Sequence, residues 1–220
     1  MTELGIILRT SRTLTLTAAG GACAFAATAA FAVTGNATLP DLWVLEHLRA
    51  SRTTDRPIGP DELISMASLA SAAASPFVSG PVAALLALAL KIRGRRRDAV
   101  LVSAAGAGSV VLGLFLKSMF TRERPEAAWR LAEAHGPGFP STQTLFATAL
   151  ALSLAIVVFR TAARPRDRAI ALGLALIAAG LVGASRIYLG VHWTSDVLAA
   201  WSAGAAWAGL CGLATTARRT

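Results

Sequence analysis

Apolar residues along this 220-residue chain gather into long unbroken runs of Ala, Leu, Val and Gly, not the short alternating segments of a membrane barrel. A helix needs about 20 apolar residues to cross about 30 Å of hydrocarbon. On that measure the pattern predicts spans at 14–33, 69–90, 99–119, 141–159, 169–188 and 193–214. The expected fold class is all-α: a bundle of six transmembrane helices with both termini on the cytoplasmic side. The first run is expected to stay as helix one, because it has spanning length and its Gly35-Asn36-Ala37-Thr38 exit lacks a cleavage pattern. Residues 36–62 read as an outer loop. Within it, 40–49 forms a short interfacial helix with Leu42, Leu45 and Leu48 or Arg49 on related faces and Trp43 at headgroup level. A flap over a lipid access path is one use for that helix, with His47 a solvated residue on it. The stretch 53–60, with Pro57 and Gly59, reads as a turn-rich linker. A single membrane-embedded domain over 1–220 is expected.

Composition agrees with the pattern, since 55% of the residues are hydrophobic and only 15% charged. That balance excludes a disordered chain, and two cysteines exclude a disulfide scaffold. Cys23 and Cys211 fall inside apolar runs and read as small buried hydrophobes. The net charge of +9 could suggest nucleic acid, but its distribution sets topology instead. Thirteen of the 21 Lys and Arg residues, among them Lys91, Arg93, Arg95, Arg96, Arg97, Arg160, Arg164, Arg166 and Arg168, fall on one side of the predicted bundle. The positive-inside rule makes that side cytoplasmic. No aromatic platform accompanies the basic residues, so nucleic acid is not expected as a partner.

The candidate chemistry gathers at the outer ends of the last four spans. Lys117 and Arg124 are seven residues apart, close to two turns, so a helix continuing that far presents both on one face before Pro125 limits it. Arg186 closes the fifth span. His192 and Asp196 open the sixth at an i, i+4 spacing that lets the carboxylate meet the imidazole. Phe139-Pro140-Ser141-Thr142 leads into the fourth, where Ser141 is positioned to cap the first turn and leave amide donors facing outward. Free amides, the helix dipole and three cations suit a compact anion, phosphate above all, and arginine adds a planar fork that matches its oxygens. Singly, Lys117 and Arg124 read as snorkelling anchors and His192 and Asp196 as interfacial polar residues. Together they favour the anion site.

Two spacings are specific: Lys117, six residues, Arg124-Pro125; and Ser185-Arg186, five residues, His192, three residues, Asp196. In both, and in its six spans, the chain resembles the type 2 phosphatidic acid phosphatase family of integral membrane lipid phosphatases. The resemblance implies His192 as the nucleophile that takes the phosphoryl group and Asp196 as the holder of its other ring nitrogen. It implies Lys117, Arg124, Ser141, Thr142 and Arg186 as the phosphate-binding set. It implies no cofactor and no metal, in keeping with the lack of a carboxylate-rich cluster in the sequence. The expected partners are the bilayer and a lipid phosphate, either a polyprenyl diphosphate or a phosphatidyl-type phosphate, hydrolysed through a phosphohistidine outside the cytoplasm of a multi-pass cell-membrane protein. Homo-oligomerisation stays open.

The second motif of the family reads Pro-Ser-Gly-His, and here the positions hold Pro140-Ser141-Thr142-Gln143. Gln143 therefore stands where the general acid is expected, and a missing general acid costs about 10²–10⁴ in rate. Three readings stay open: an altered or inactivated form of an ordinary phosphatase, a natural preference for diphosphates whose leaving group needs little protonation, or a non-catalytic phospholipid-binding relative. His135 or Glu133 in the outer loop could substitute as the acid. A lipid transporter is the remaining alternative, although the ionisable residues collect at one face and not at mid-membrane.

Overall fold

A computed structural model describes the backbone of residues 3–50 and 56–216. Residues 53–55 of the expected linker, with Arg52, Arg218 and Arg219, lie outside the described residues. The chain forms α1 (Glu3–Val33), α2 (Thr38–His47), α3 (Asp61–Ala73), α4 (Pro76–Ile92), α5 (Arg96–Met119), α6 (Thr142–Thr161), α7 (Pro165–Tyr188) and α8 (Thr194–Thr215), with a 3-10 turn at Ala127–Trp129. Extended pairing among the described residues amounts to one isolated bridge, Arg49 with Pro57.

Among the described residues, five helices are long and apolar enough to cross a membrane, including Ser11–Val33 of α1, and a sixth span exists if α3 and α4 count as one. The single helix expected at 69–90 is thus a pair bent by 48°. Local chemistry explains the break. Ser75 adopts an extended conformation and its Oγ accepts from the Val78 amide at 3.3 Å, so it caps a new helix that has Pro76 at its first position. Outward faces are apolar, with Phe77, Leu85, Val111 and Leu181 all exposed, as a lipid-facing surface requires. Thr15, Thr28, Thr148 and Thr215 return their hydroxyls to carbonyls four residues back, so none of these four offers a free donor to hydrocarbon.

Small residues on α8 bring the helices close. A Cβ placed on Gly209 would lie 2.8 Å from the Ala18 amide nitrogen, and one on Gly21 of α1 would lie 2.7 Å from the Ala206 nitrogen. Backbone-to-backbone contact between α1 and α8 therefore depends on glycine. Cys211 packs into the core formed with Leu101, Val102 and Val157, whereas Cys23, expected to be buried, faces outward from α1. At the basic end, Asp98 pairs with Arg95 at 2.7 Å and Arg160 at 3.0 Å, and Arg160 reaches the Gly212 carbonyl, tying α5, α6 and α8 together.

The short helix in the outer loop exists, with Leu45 and Arg49 of the expected face turned inward and Asp41 added to them. Asp41, Leu45 and Arg49 are buried, a strict four-residue stripe, while Leu42 and Leu48 are half-buried. The reason is polar. Arg49 donates to the carbonyls of Tyr188 at 3.1 Å and Trp129 at 2.6 Å, and Asp41 meets the start of α8. Trp43 stays exposed and stacks on His47, with ring centroids 4.1 Å apart.

Candidate active site

Helix α5 ends at Met119, so Lys117 lies in its last turn while Arg124 sits in the following loop, not on a continued helical face. Pro125 disfavours helical backbone at Arg124, the residue before it. Phe120 also turns away, packing edge-on against Phe139 at 5.1 Å and Phe25 at 6.3 Å between centroids. Arg124 is nevertheless held firmly. Its Nε donates to the Gly136 carbonyl at 3.0 Å, Nη2 to His135 O at 3.3 Å and Nη1 to Val191 O at 2.7 Å.

Helix α7 ends at Tyr188 and turns through Gly190, whose φ is +66°. A side chain there would run into the Trp129 carbonyl and lie 2.7 Å from Arg49 Nη2, so glycine is required on both counts. The turn presents His192, which is 3% exposed, ahead of the first turn of α8. His192 Nδ1 lies 3.3 Å from Asp196 Oδ2, and Nε2 lies 2.9 Å from Arg124 Nη1. A guanidinium can only donate and a carboxylate only accept. The imidazole must therefore carry its proton on Nδ1 and its lone pair on Nε2. Burial pushes its pKa down from 6.5 to about 3, against the hydrogen bond and charge of Asp196, and the positive charges of Arg124 and Arg186 add to the lowering. The ring is neutral at pH 7. Burial also lowers the Arg124 pKa from its ordinary value, and the Asp196 charge opposes that.

Of the remaining expected residues, Lys117, Arg186 and Ser141 are tied to this pair, by charge or by hydrogen bond. Lys117 Nζ donates to the Pro137 carbonyl at 2.5 Å and lies in electrostatic range of Arg124, Asp196 and Arg186. Arg186 is buried and donates through Nη1 to Ser71 Oγ on α3, and its Nε has no hydrogen-bond partner. Thr142 Oγ1 is likewise buried and unpaired. Ser141 occupies the N-cap of α6, yet its Oγ pairs with Thr144 Oγ1 at 2.9 Å and caps no amide. The expected side-chain cap is thus replaced by a hydroxyl pair, because Ser141 is fixed from behind by its amide, which donates to the Asp196 carbonyl at 3.2 Å. Gln143 is held by the Ser71 carbonyl at 2.6 Å and not by His192. His135 and Glu133 are exposed in the loop. Beside the cluster opens a cavity of about 320 Å³ lined by Arg122, Arg124, Arg130, Glu123 and Glu126 among others. It meets the cluster through Arg124. Among the described residues no His, Cys, Asp and Glu group has the arrangement of a metal site.

A family model described as the PAP2 superfamily matches residues 69–219. The chain belongs to that superfamily. Its fold is similar to that of the first transmembrane PAP2 type phosphatidylglycerolphosphate phosphatase from Bacillus subtilis, with a TM-score of 0.78 and 21% identity over 89% of this chain and 94% of that chain. It is also similar to LpxE from Aquifex aeolicus, with a TM-score of 0.52 and 26% identity over 72% of this chain and 87% of that one. No curated protein matches it in sequence. The PAP2 match begins at Leu69, so α1 and α2 precede it.

Several residues around this cluster are not marked by the sequence. Arg122 bridges Asp196 Oδ1 at 2.8 Å and Asp41 Oδ2 at 2.7 Å, and Ser195 Oγ accepts from Arg122 and donates to Asp41. Ser71 touches Gln143 and Arg186 together. The one available signal is the four-residue spacing of Asp41, Leu45 and Arg49, which puts two charged residues in line with the inward side of α2. Nothing in the sequence around Ser71 distinguishes it from other serines in small-residue helices.

Proposed function

We propose that this protein is a membrane lipid phosphatase working at the extracytoplasmic face, with both termini cytoplasmic and one domain spanning the chain. The observation that carries the reading is the neutral, buried His192 with its Nε2 lone pair directed at Arg124 and its Nδ1 proton directed at Asp196. A phosphoryl group gripped by Arg124, with Lys117, Arg186, Thr142, the Ser141 segment and the α6 amides neutralising its oxygens, meets that lone pair. Nε2 forms the bond to phosphorus as the bond to the leaving oxygen breaks, and Asp196 stabilises the positive charge that develops on the imidazole. Water then attacks the phosphohistidine and releases inorganic phosphate, returning the lone pair to Nε2.

Gln143 decides the substrate class. Its amide donates hydrogen bonds but transfers no proton, so a departing alkoxide is left unprotonated. A lipid diphosphate leaves instead as a lipid monophosphate, whose conjugate acid has a pKa of about 6 and which departs as the anion. We therefore assign polyprenyl diphosphate-type lipids ahead of phosphatidyl-type monoesters. Phosphate release by the purified protein and its Gln143→His variant tests this. The expected result is measurable diphosphate turnover by the wild type, with monoester hydrolysis rising by about 10²-fold in the variant. Silence of both proteins on every lipid phosphate, with binding retained, would favour the non-catalytic phospholipid binder, a reading that the amide at position 143 also accommodates.

A further inference from the structure

The geometry points to Asp41 of α2 as a positioning residue for the His192–Asp196 pair, acting through Arg122 and the first turn of α8. This rests on the phosphatase reading for its kinetic consequence but not for its spectroscopic one.

Both carboxylate oxygens of Asp41 are used at the start of α8. Oδ1 accepts from the Ser195 amide at 2.8 Å, and Oδ2 accepts from Ser195 Oγ at 2.5 Å and Arg122 Nη2 at 2.7 Å. Trp193 is the N-cap of α8, so the Ser195 amide is one of the donors that a helix start leaves without an intrahelical partner. Asp196 accepts the Trp193 amide at 3.0 Å. Two aspartates, one local and one from a helix 154 positions away, therefore cap the same turn, where the helix dipole favours negative charge. Arg122 closes the circuit. Its Nη1 lies 2.8 Å from Asp196 Oδ1 and 2.6 Å from Ser195 Oγ, with its guanidinium 5.9 Å from the centroid of the Trp193 ring.

Asp196 thus presents Oδ2 to the imidazole while Oδ1 is pinned from behind. The imidazole contact is the long member of the set at 3.3 Å, so small rotations of the carboxylate decide whether the Nδ1 proton stays where the Nε2 lone pair needs it. Asp41, Asp196 and Ser195 are each buried, at 3%, 0% and 3% exposure, so water offers no substitute for a lost partner. Because α2 lies ahead of the PAP2 match, Asp41 comes from a part of the chain that the family motifs do not include.

The test uses the full chain in detergent micelles with Asp41→Asn, which keeps the shape and an acceptor for the Ser195 amide, Asp41→Ala, Asp196→Asn and the double variant Asp41→Asn/Asp196→Asn. The first readout is ¹⁵N imidazole NMR, which reports the tautomer of His192 without turnover. Wild type is expected to show the Nδ1-protonated form, and Asp41→Asn a mixture of both tautomers. The second is kcat on a lipid diphosphate. Misplacement by a fraction of an ångström predicts a loss of about 10-fold in Asp41→Asn with KM little changed, and a larger loss in Asp41→Ala. In the Asp196→Asn background the same Asp41→Asn change costs less than about 2-fold, because the residue through which it acts is gone. A residue that only holds the fold together would cost the same factor in both backgrounds. That equality, or an unchanged His192 spectrum in a folded Asp41→Asn protein, overturns the inference. If the wild type proves inert on all lipid phosphates, the phosphatase reading fails and the imidazole spectrum alone decides Asp41. Should Asp41→Ala fail to fold, Asp41→Asn carries both readouts.

Discussion

Replacing Arg124 by lysine separates charge from geometry at the centre of the site. The guanidinium spreads four hydrogen bonds over Gly136, His135, Val191 and His192, between 2.7 and 3.3 Å. A lysine ammonium keeps the charge but offers one nitrogen, so it cannot reach the 135–136 loop and the His192 side at once. The two loop bonds lost are together worth about 1.5 kcal/mol of fold stability, and the missing second prong toward a phosphate oxygen about 1.5 kcal/mol of transition-state stabilisation as a charge-assisted bond. The second figure is about 10-fold in kcat/KM. Steady-state phosphate release from a lipid diphosphate in mixed micelles measures it, with the thermal midpoint in the same detergent reporting the fold. A folded Arg124→Lys protein within about 3-fold of wild type would show that charge alone suffices and that the fork has no special part.

The low pKa of His192 fixes the acid limb of the pH profile. An imidazole neutral down to about pH 3 gives kcat/KM no inflection near 6.5 once substrate ionisation is divided out, and a limb that follows 6.5 would contradict its burial. The same group sets a stability trend. Between about 3 and 6.5 the unfolded chain binds the proton that the native ring refuses, so this contribution is complete above 6.5 and is lost as pH falls toward 3, as denaturation midpoints against pH will record. Gly21→Ala, whose new methyl would lie 2.7 Å from the Ala206 nitrogen and the Ser202 carbonyl oxygen, is expected to lower the thermal midpoint by an amount equivalent to about 1–3 kcal/mol, while Gly20→Ala, with nothing within 4 Å, leaves it unchanged. Equal midpoints for the two would mean that α1 and α8 do not pack backbone to backbone.

Spans were legible because twenty-odd apolar residues in lipid have one stable solution, a helix. The break at Ser75 was masked by the hydropathy of Leu69 to Leu90, although Ser75-Pro76 is a helix-start signature that outranks hydropathy locally. The contact of His192 with Asp196 follows from a four-residue spacing, and the family motifs named Lys117, Arg124 and Arg186. Local spacing says nothing of contacts that cross the bundle. Arg122 was one more cation in a basic loop until Asp41 and Asp196 were found on either side of it, and Ser71 acquired a role only through Arg186 and Gln143. Ser141 departs from its expected capping role for the same reason, since the Asp196 carbonyl that holds its amide lies 55 positions downstream.

The glycine contact between α1 and α8 has a practical side. The PAP2 family match starts at Leu69, but the physical unit does not: the Ala18 and Leu14 backbone fills the groove at Gly209, and Asp41 supplies the acceptor for the Ser195 amide. A protein trimmed to the matched stretch would leave that groove open to lipid and the Ser195 amide without its acceptor. The stretch that the family match spans and the stretch that packs as one body therefore have different borders, and His192 stands just ahead of the helix common to both.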